Sequence, residues 1–302
     1  MRRFGLACDN LLEADVVTAD GALIHASDEE HADLFWGLRG GGGNFGVVTS
    51  FEYRLHPVGP TVLGGFVVHP FTHAREVCRF FREFTASAPD ELATYFGFAT
   101  FPDGQPVAVL VVGYTGPLDE GERVLRPLRE FGRPLADTVG PLPYTELQGL
   151  FAASYPPGRL NYWKSSFLTD LSDEAIAVLI ERFAAVASPF SGIGLEHLGG
   201  AVARVGPDET AFVQRTTPYS LLVTAAWEDA AESEGNVRWA RETWQATQPF
   251  AEASVYVNYI DAGEEDRVKA AFGTNYTRLA NLKAKYDPEN VFCHNHNVPP
   301  SR

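Results

Sequence analysis

The chain has 302 residues, 45% hydrophobic and 21% charged; that supplies one large or two medium cores and excludes a disordered or low-complexity protein. Its 39 acidic and 24 basic residues leave a formal charge of -15 with no basic stripe, which excludes a nucleic-acid partner and disfavours anionic ones. Cys8, Cys78 and Cys293 are scattered, with neither disulfide nor zinc spacing, and read as structural thiols of a reducing compartment.

The N-terminus, Met1-Arg2-Arg3, has no apolar signal core behind it, and no apolar run reaches membrane-spanning length. A cytoplasmic protein without a membrane partner is expected. Residues 14–25 read as a hairpin, two β-prone runs around Asp20-Gly21. Ser27 with Glu30 three residues later is a capping box, predicting a helix through Leu34, Phe35 and Leu38. The glycines at 40–43 stop it, and Val47 to Leu55 alternates as a strand.

His56-Pro57-Val58-Gly59-Pro60 marks a boundary. Beyond it the pattern predicts strands at 62–68, 92–100, 107–114, 161–168, 194–204, 211–215 and 220–227. Helices are predicted at 72–87, 119–131, 172–187 and 236–248. This is an α+β arrangement, a mostly antiparallel sheet with helices on one face. From Val255 the chain reads as a short strand through Tyr259, a helix from Glu264, and a second helix from Thr274 that ends at Asp287-Pro288. The tail 290–300 is polar and irregular, and is expected to be tied down against another part of the fold.

Gly41-Gly42-Gly43-Asn44-Phe45-Gly46 satisfies G-x-G-x-x-G in form only. The dinucleotide fingerprint needs a strand before the glycines and a helix after them, and here the order is reversed. A helix cap accounts for one or two glycines. Five within seven positions suggest a backbone that a ligand approaches closely, with amides free to donate. His294 and His296 form an i, i+2 pair, but apart from Cys293 no partner stands at ligand spacing, so no metal is assigned.

The stretches Phe4-Gly5-Leu6-Ala7, Val16 to Gly21, Asp33 to Trp36 and Leu38 to Thr49 resemble the second half of the flavin domain of the berberine-bridge-enzyme-like FAD-linked oxidases. These belong to the vanillyl-alcohol-oxidase superfamily. Tyr256-Val257-Asn258-Tyr259, Asn275-Tyr276-x-Arg278-Leu279, Lys285 to Phe292 and Asn295-x-Asn297-Val298-Pro299-Pro300 resemble its berberine-like C-terminal segment. The resemblance implies a PCMH-type FAD-binding domain represented only in part. Residues 1–57 would be its C-terminal half, 58–254 a substrate domain, and 255–302 a segment that returns to the flavin domain. The family's N-terminal flavin subdomain, with its covalent attachment residues, has no counterpart here. Met1 is therefore expected to be a false or truncated start, and no covalent flavin link is assigned.

The activity implied is oxidation of an alcohol, sugar or phenolic small molecule by hydride transfer to FAD. The alternative is a non-catalytic remnant that binds a small molecule or a partner. Such oxidation needs a base for the hydroxyl proton. The resemblance assigns it to Tyr259, with Tyr256 beside it. A phenol near pKa ~10 would have to be shifted down, and Lys164 is the expected cation. Gly41, Gly42, Gly43, Asn44, Gly46, Val47 and Val48 are the expected flavin contacts of the glycine loop. Asn295 and Asn297 are those of the tail. The oligomeric state is not legible.

Overall fold

The computed structural model describes residues 1–260 and 266–302, apart from the side chain of Asp266. Near the N-terminus, β1 (Leu11–Val17) pairs antiparallel with β2 (Leu23–Ser27). The turn between them uses Gly21 at φ +82°, and the Thr18 hydroxyl donates to Asp20 at 2.6 Å. Helix α1 (Ala32–Leu38) buries Leu34, Phe35 and Trp36. Its start differs from the predicted capping box. Ser27 Oγ accepts the Glu29 and Glu30 amides and closes a turn. The helix begins only after His31, which is left-handed at φ 47°. Strand β3 (Val47–Tyr53) completes a small sheet of order β2-β1-β3. It ends two residues before the predicted Leu55.

The next elements are β4 (Thr61–Pro70), α2 (Ala74–Thr85), β5 (Leu92–Thr100), β6 (Pro106–Tyr114), α3 (Leu118–Glu130), β7 (Ala136–Asp137), β8 (Gly140–Pro143), α4 (Tyr144–Gln148), β9 (Leu160–Leu168), α5 (Asp173–Ala184), β10 (Gly192–His197), α6 (Ala201–Arg204), β11 (Tyr219–Trp227) and α7 (Ser233–Thr247). The strands form one antiparallel eight-stranded sheet of order β7-β4-β6-β5-β10-β11-β9, with β8 also paired to β4. Alternation sorts its side chains. Leu92, Phe96 and Phe98 of β5, Ile193 and Leu195 of β10, and Leu221, Val223 and Ala225 of β11 face the core beneath α2, α5 and α7. Helix α5 shows how the sequence builds that layer. Ser172 Oγ caps it by accepting the Ala175 amide at 3.2 Å, and Ile176, Leu179 and Phe183 are fully buried. Each such side chain contributes roughly 1.5–3 kcal/mol. The opposite, open face carries α4 over β4 and β6, and the segment around Tyr259 over β9 and β10.

Two predicted strands give way to tertiary demands. The run 194–204 is a strand only to His197. Gly199 and Gly200 then turn at φ +96° and +62°, and α6 follows. Segment 211–215 forms no strand. It is pinned by the buried ion pair of Arg215 with Asp9, at 2.9 and 2.8 Å.

After 260, α8 (Asp266–Phe272) and α9 (Tyr276–Tyr286) follow. The predicted start at Glu264 lies outside the described residues. A second core joins the two ends of the chain: Leu11, Val16, Leu34, Phe35 and Phe45 pack with Phe272, Leu279, Leu282 and Val298. Asp33 accepts from Tyr286 Oη at 2.9 Å and pairs with Lys285 at 2.6 Å. Among the described residues, no helix is long and apolar enough to cross a membrane.

Candidate active site

The predicted strand at Val255–Tyr259 is instead a single 3-10 turn, Val257–Tyr259. That changes which side chains meet. Three residues per turn eclipse positions i and i+3, so Tyr256 and Tyr259 stand together, edge to face, with centroids 5.0 Å apart. The Asn258 amide donates to the Tyr256 hydroxyl at 2.8 Å.

Tyr259 projects over the open face of the large sheet, where its hydroxyl donates to Glu196 Oε1 at 3.0 Å. Glu196 lies on β10, paired in register with Ser220 and Tyr95. Burial pushes the Glu196 carboxyl up, against the opposing effect of its Tyr259 and Ser220 hydrogen bonds. Burial also raises the Tyr259 phenol, and the Glu196 charge raises it further. Tyr95 is pushed up to about 12 by burial and Glu196. The expected downward shift of Tyr259 is thus reversed, first by burial and then by the Glu196 charge.

Lys164 does not supply the expected cation. It pairs in register with Val223 and so lies on the helix-covered face of β9, opposite the face that carries Glu196. There its ammonium sits 5.3 Å from the Tyr162 ring and 5.6 Å from that of Trp244. A one-residue difference in strand parity decides this.

Beside Tyr259 the open face carries a cavity of about 370 Å³, lined by Tyr155, Arg159, Asn161, Trp163, Ala226 and Asn258 among others. Arg159 stacks on Phe190 at 3.8 Å and approaches Glu228 at 3.3 Å.

The glycine loop lies between α1 and β3. Phe212 links it to the tyrosine pair: it packs edge-on against Tyr256 at 5.8 Å, and its backbone lies where a Cβ on Gly40 would approach to 2.6 Å. The loop glycines have different reasons. Gly41 and Gly46 are packing positions, since a Cβ would meet Gly37 O at 2.4 Å or Val16 Cγ1 at 2.6 Å. Gly42 is left-handed at φ +71° and open: among the described residues a Cβ there would meet only Asn44 Nδ2, at 3.9 Å. A Cβ on Gly43 would come within 3.3 Å of Asn295 Nδ2. Val47 is exposed, and Val48 packs against the second core.

Asn44 is buried and clasps the tail. Its Nδ2 donates to Gly41 O at 2.8 Å and His296 O at 3.3 Å, and its Oδ1 accepts the Val298 amide at 2.9 Å. Lys283, fully buried on α9, donates to Asn44 O at 2.8 Å, Phe292 O at 2.9 Å and Asp287 Oδ2 at 2.5 Å. Burial would raise the Asp287 carboxyl, but Lys283 and the Phe292 and Val291 amides outweigh it and hold it below the ordinary range.

The family description "Berberine and berberine like" matches residues 255–299. Over the whole chain, the FAD-linked oxidoreductase YvdP of Bacillus subtilis (strain 168), itself uncharacterized, is 31% identical, with 68% of its length covered. The chain belongs to the berberine-like FAD-linked oxidoreductases. The (R)-6-hydroxynicotine oxidase of Paenarthrobacter nicotinovorans is 32% identical over 99% of the chain and 67% of the enzyme. The crystal structure of 6-hydroxy-D-nicotine oxidase from Arthrobacter nicotinovorans superposes with a TM-score of 0.89 at 27% identity, over 99% of this chain and 68% of that one. The chain thus spans about two thirds of the length of the relatives it matches.

The glycine loop and tail suit the cofactor of this family. Gly42 leaves an open stretch of backbone, and in the tail the Asn297 Oδ1 is buried without a partner among the described residues. Cys8 offers no nucleophile, since burial and Asp9 push its thiol up to about 12. Among the described residues, no three His, Cys, Asp or Glu side chains gather as a metal site.

Glu196, Phe212 and Lys283 were not among the residues singled out from sequence. Lys283 and Asp287 stand i, i+4 on a helix, which is a legible pairing signal. Glu196 is an acid at an alternation position of a mostly apolar strand, a weaker one.

Proposed function

We propose that this chain carries the substrate face and part of the flavin site of an oxidoreductase that oxidises an alcohol, sugar or phenolic small molecule. In this reading residues 1–57 and 255–302 form the flavin-facing part and 58–254 the substrate domain. The backbone of Gly42 and Gly43, with Asn295 and Asn297, would hold FAD, and Asn44 would shape the loop from behind. When bound, FAD supplies the hydride acceptor.

The proton chemistry belongs to the chain itself. Tyr259 Oη takes the substrate hydroxyl proton while its own proton passes to Glu196 Oε1, so charge moves between two fixed oxygens. A carboxylate raised by burial is a better acceptor than an ordinary one. Tyr256 orients Tyr259 through their edge-to-face contact. Lys164 has no part in this step. The observation that carries the reading is the hydrogen bond from Tyr259 to the half-buried Glu196.

The test is Tyr259→Phe in flavin-loaded protein, followed by anaerobic stopped flow. Flavin reduction is expected to slow by about 10² to 10⁴, with FAD content unchanged. Reduction at the parent rate with the parent pH profile would refute the assignment. Flavin-loaded parent that no alcohol, sugar or phenol reduces would instead favour a binding remnant.

A further inference from the structure

The open face of the large sheet carries two glycine pairs, each directly opposed across neighbouring strands. Gly64 faces Gly113 across β4 and β6, and Gly97 faces Gly194 across β5 and β10. The first pair is filled. Leu147 of α4 seats over it, so that a Cβ on Gly64 or Gly113 would come within 2.6 or 3.0 Å of the leucine side chain. Among the described residues the second pair has no such knob. A Cβ on Gly194 would meet only Leu222 O, at 4.0 Å, and one on Gly97 only backbone. Neither glycine of this pair has a positive φ. Turn geometry therefore does not explain them, and glycine inside a strand marks a place where something else approaches closely.

A second feature of the same row points to a ligand. Gly194 pairs with Leu222, and Leu222 with Ser165 on β9, so all three share the open face. Ser165 is 1% exposed, and among the described residues its hydroxyl has no hydrogen-bond partner. The buried Trp163 Nε1, two residues along β9 and on the same face, also has none. Buried polar atoms are normally satisfied, so each orphan calls for a partner, and Trp163 lines the cavity beside Tyr259. The row next to Gly97 and Gly194 holds Tyr95 and Glu196, the acceptor of the Tyr259 hydroxyl.

We propose that Gly194, together with Gly97, is the specificity-determining floor of the substrate site: it seats the flat face of a planar ring, and the Ser165 hydroxyl bonds a polar substituent of that ring. The inference rests on the assignment of Tyr259 and Glu196 as the proton-accepting pair. A slot one side chain deep, floored by two peptide planes, admits a flat ring and excludes a branched chain.

The probe is 2-naphthol, with naphthalene as its analogue lacking the hydroxyl, titrated into the full chain by saturation-transfer NMR without flavin. Gly194→Leu is expected to weaken 2-naphthol binding at least tenfold and Gly194→Ala at least twofold, with melting temperatures near that of the parent. Gly235→Leu, at an open position on α7, should leave binding unchanged. Ser165→Ala should weaken 2-naphthol and not naphthalene. Should Gly194→Leu fail to fold, Gly194→Ala decides alone.

Parent-like binding by both Gly194 variants, or a parent that does not bind 2-naphthol, would overturn the proposal. The two assignments fail separately. If Tyr259→Phe reduces flavin normally while the Gly194 variants lose 2-naphthol, the proton assignment falls and the floor stands. If Tyr259→Phe is slow while the Gly194 variants bind normally, the floor falls.

Discussion

Replacing Lys283 with methionine keeps the length of the side chain and removes its charge and donors. In the parent the ammonium is fully buried and reaches three acceptors: Asn44 O in the glycine loop, Phe292 O in the tail, and the Asp287 carboxylate, itself fully buried. Breaking one side of a buried pair strands the other charge, at a cost of about 3–5 kcal/mol. Asp287 keeps the Val291 and Phe292 amides at 2.7 and 2.9 Å, which places the expectation toward the lower end. Against a total stability of about 5–15 kcal/mol, this is a large fraction. The assay is urea denaturation at pH 7 with a paired thermal melt, in which the midpoint should fall by roughly 10 °C. Lys283→Met/Asp287→Leu should be more stable than Lys283→Met, because the stranded charge is gone. Hydrogen exchange should quicken first at residues 42–44 and 291–298. The Asp287 carboxyl is depressed in the folded state, so the stability it contributes is present above its unfolded value near 3.8 and is lost as pH falls below it. Lys283→Met should flatten that acid limb. A Lys283→Met protein within 1 kcal/mol of the parent, or a double variant less stable than the single, would refute the argument.

Burial, and then the nearby Arg2, push the His197 imidazole down to about 4 from 6.5. The folded state then binds fewer protons than the unfolded one, and stability should fall as pH drops from about 6.5 to 4, by at most about 3 kcal/mol; urea titrations of the parent and His197→Gln across that window should show a shallower slope in the variant. Gly42→Val forces a β-branched residue to φ +71° and fills the open backbone of the loop; FAD titrated into the variant should be bound at least tenfold more weakly than by the parent, and equal affinity would count against the cradle.

The local elements were legible because their causes are local. The Asp20-Gly21 turn, the Ser172 cap with its Ile176, Leu179 and Phe183 stripe, and the β-prone runs of β5, β6 and β11 each declare themselves within ten residues. The resemblance at both ends likewise lay in contiguous motifs, and it made Tyr256, Tyr259, Asn44 and the tail asparagines candidates.

What the sequence left open depends on parity and on distant neighbours. Tyr256 and Tyr259 meet because their segment winds as a 3-10 turn, where a strand would have turned them to opposite sides. Lys164 is set on the helix-covered face by its pairing with Val223, a register that no local pattern encodes. Glu196 reaches Tyr259 across 63 positions, and Lys283 reaches the glycine loop across 239. The sequence by itself determined the elements and the chemical types available to the site. The tertiary fold decided which charge each tyrosine meets, because a pKa and a hydrogen bond depend on separation in space, and folding sets that separation independently of distance along the chain.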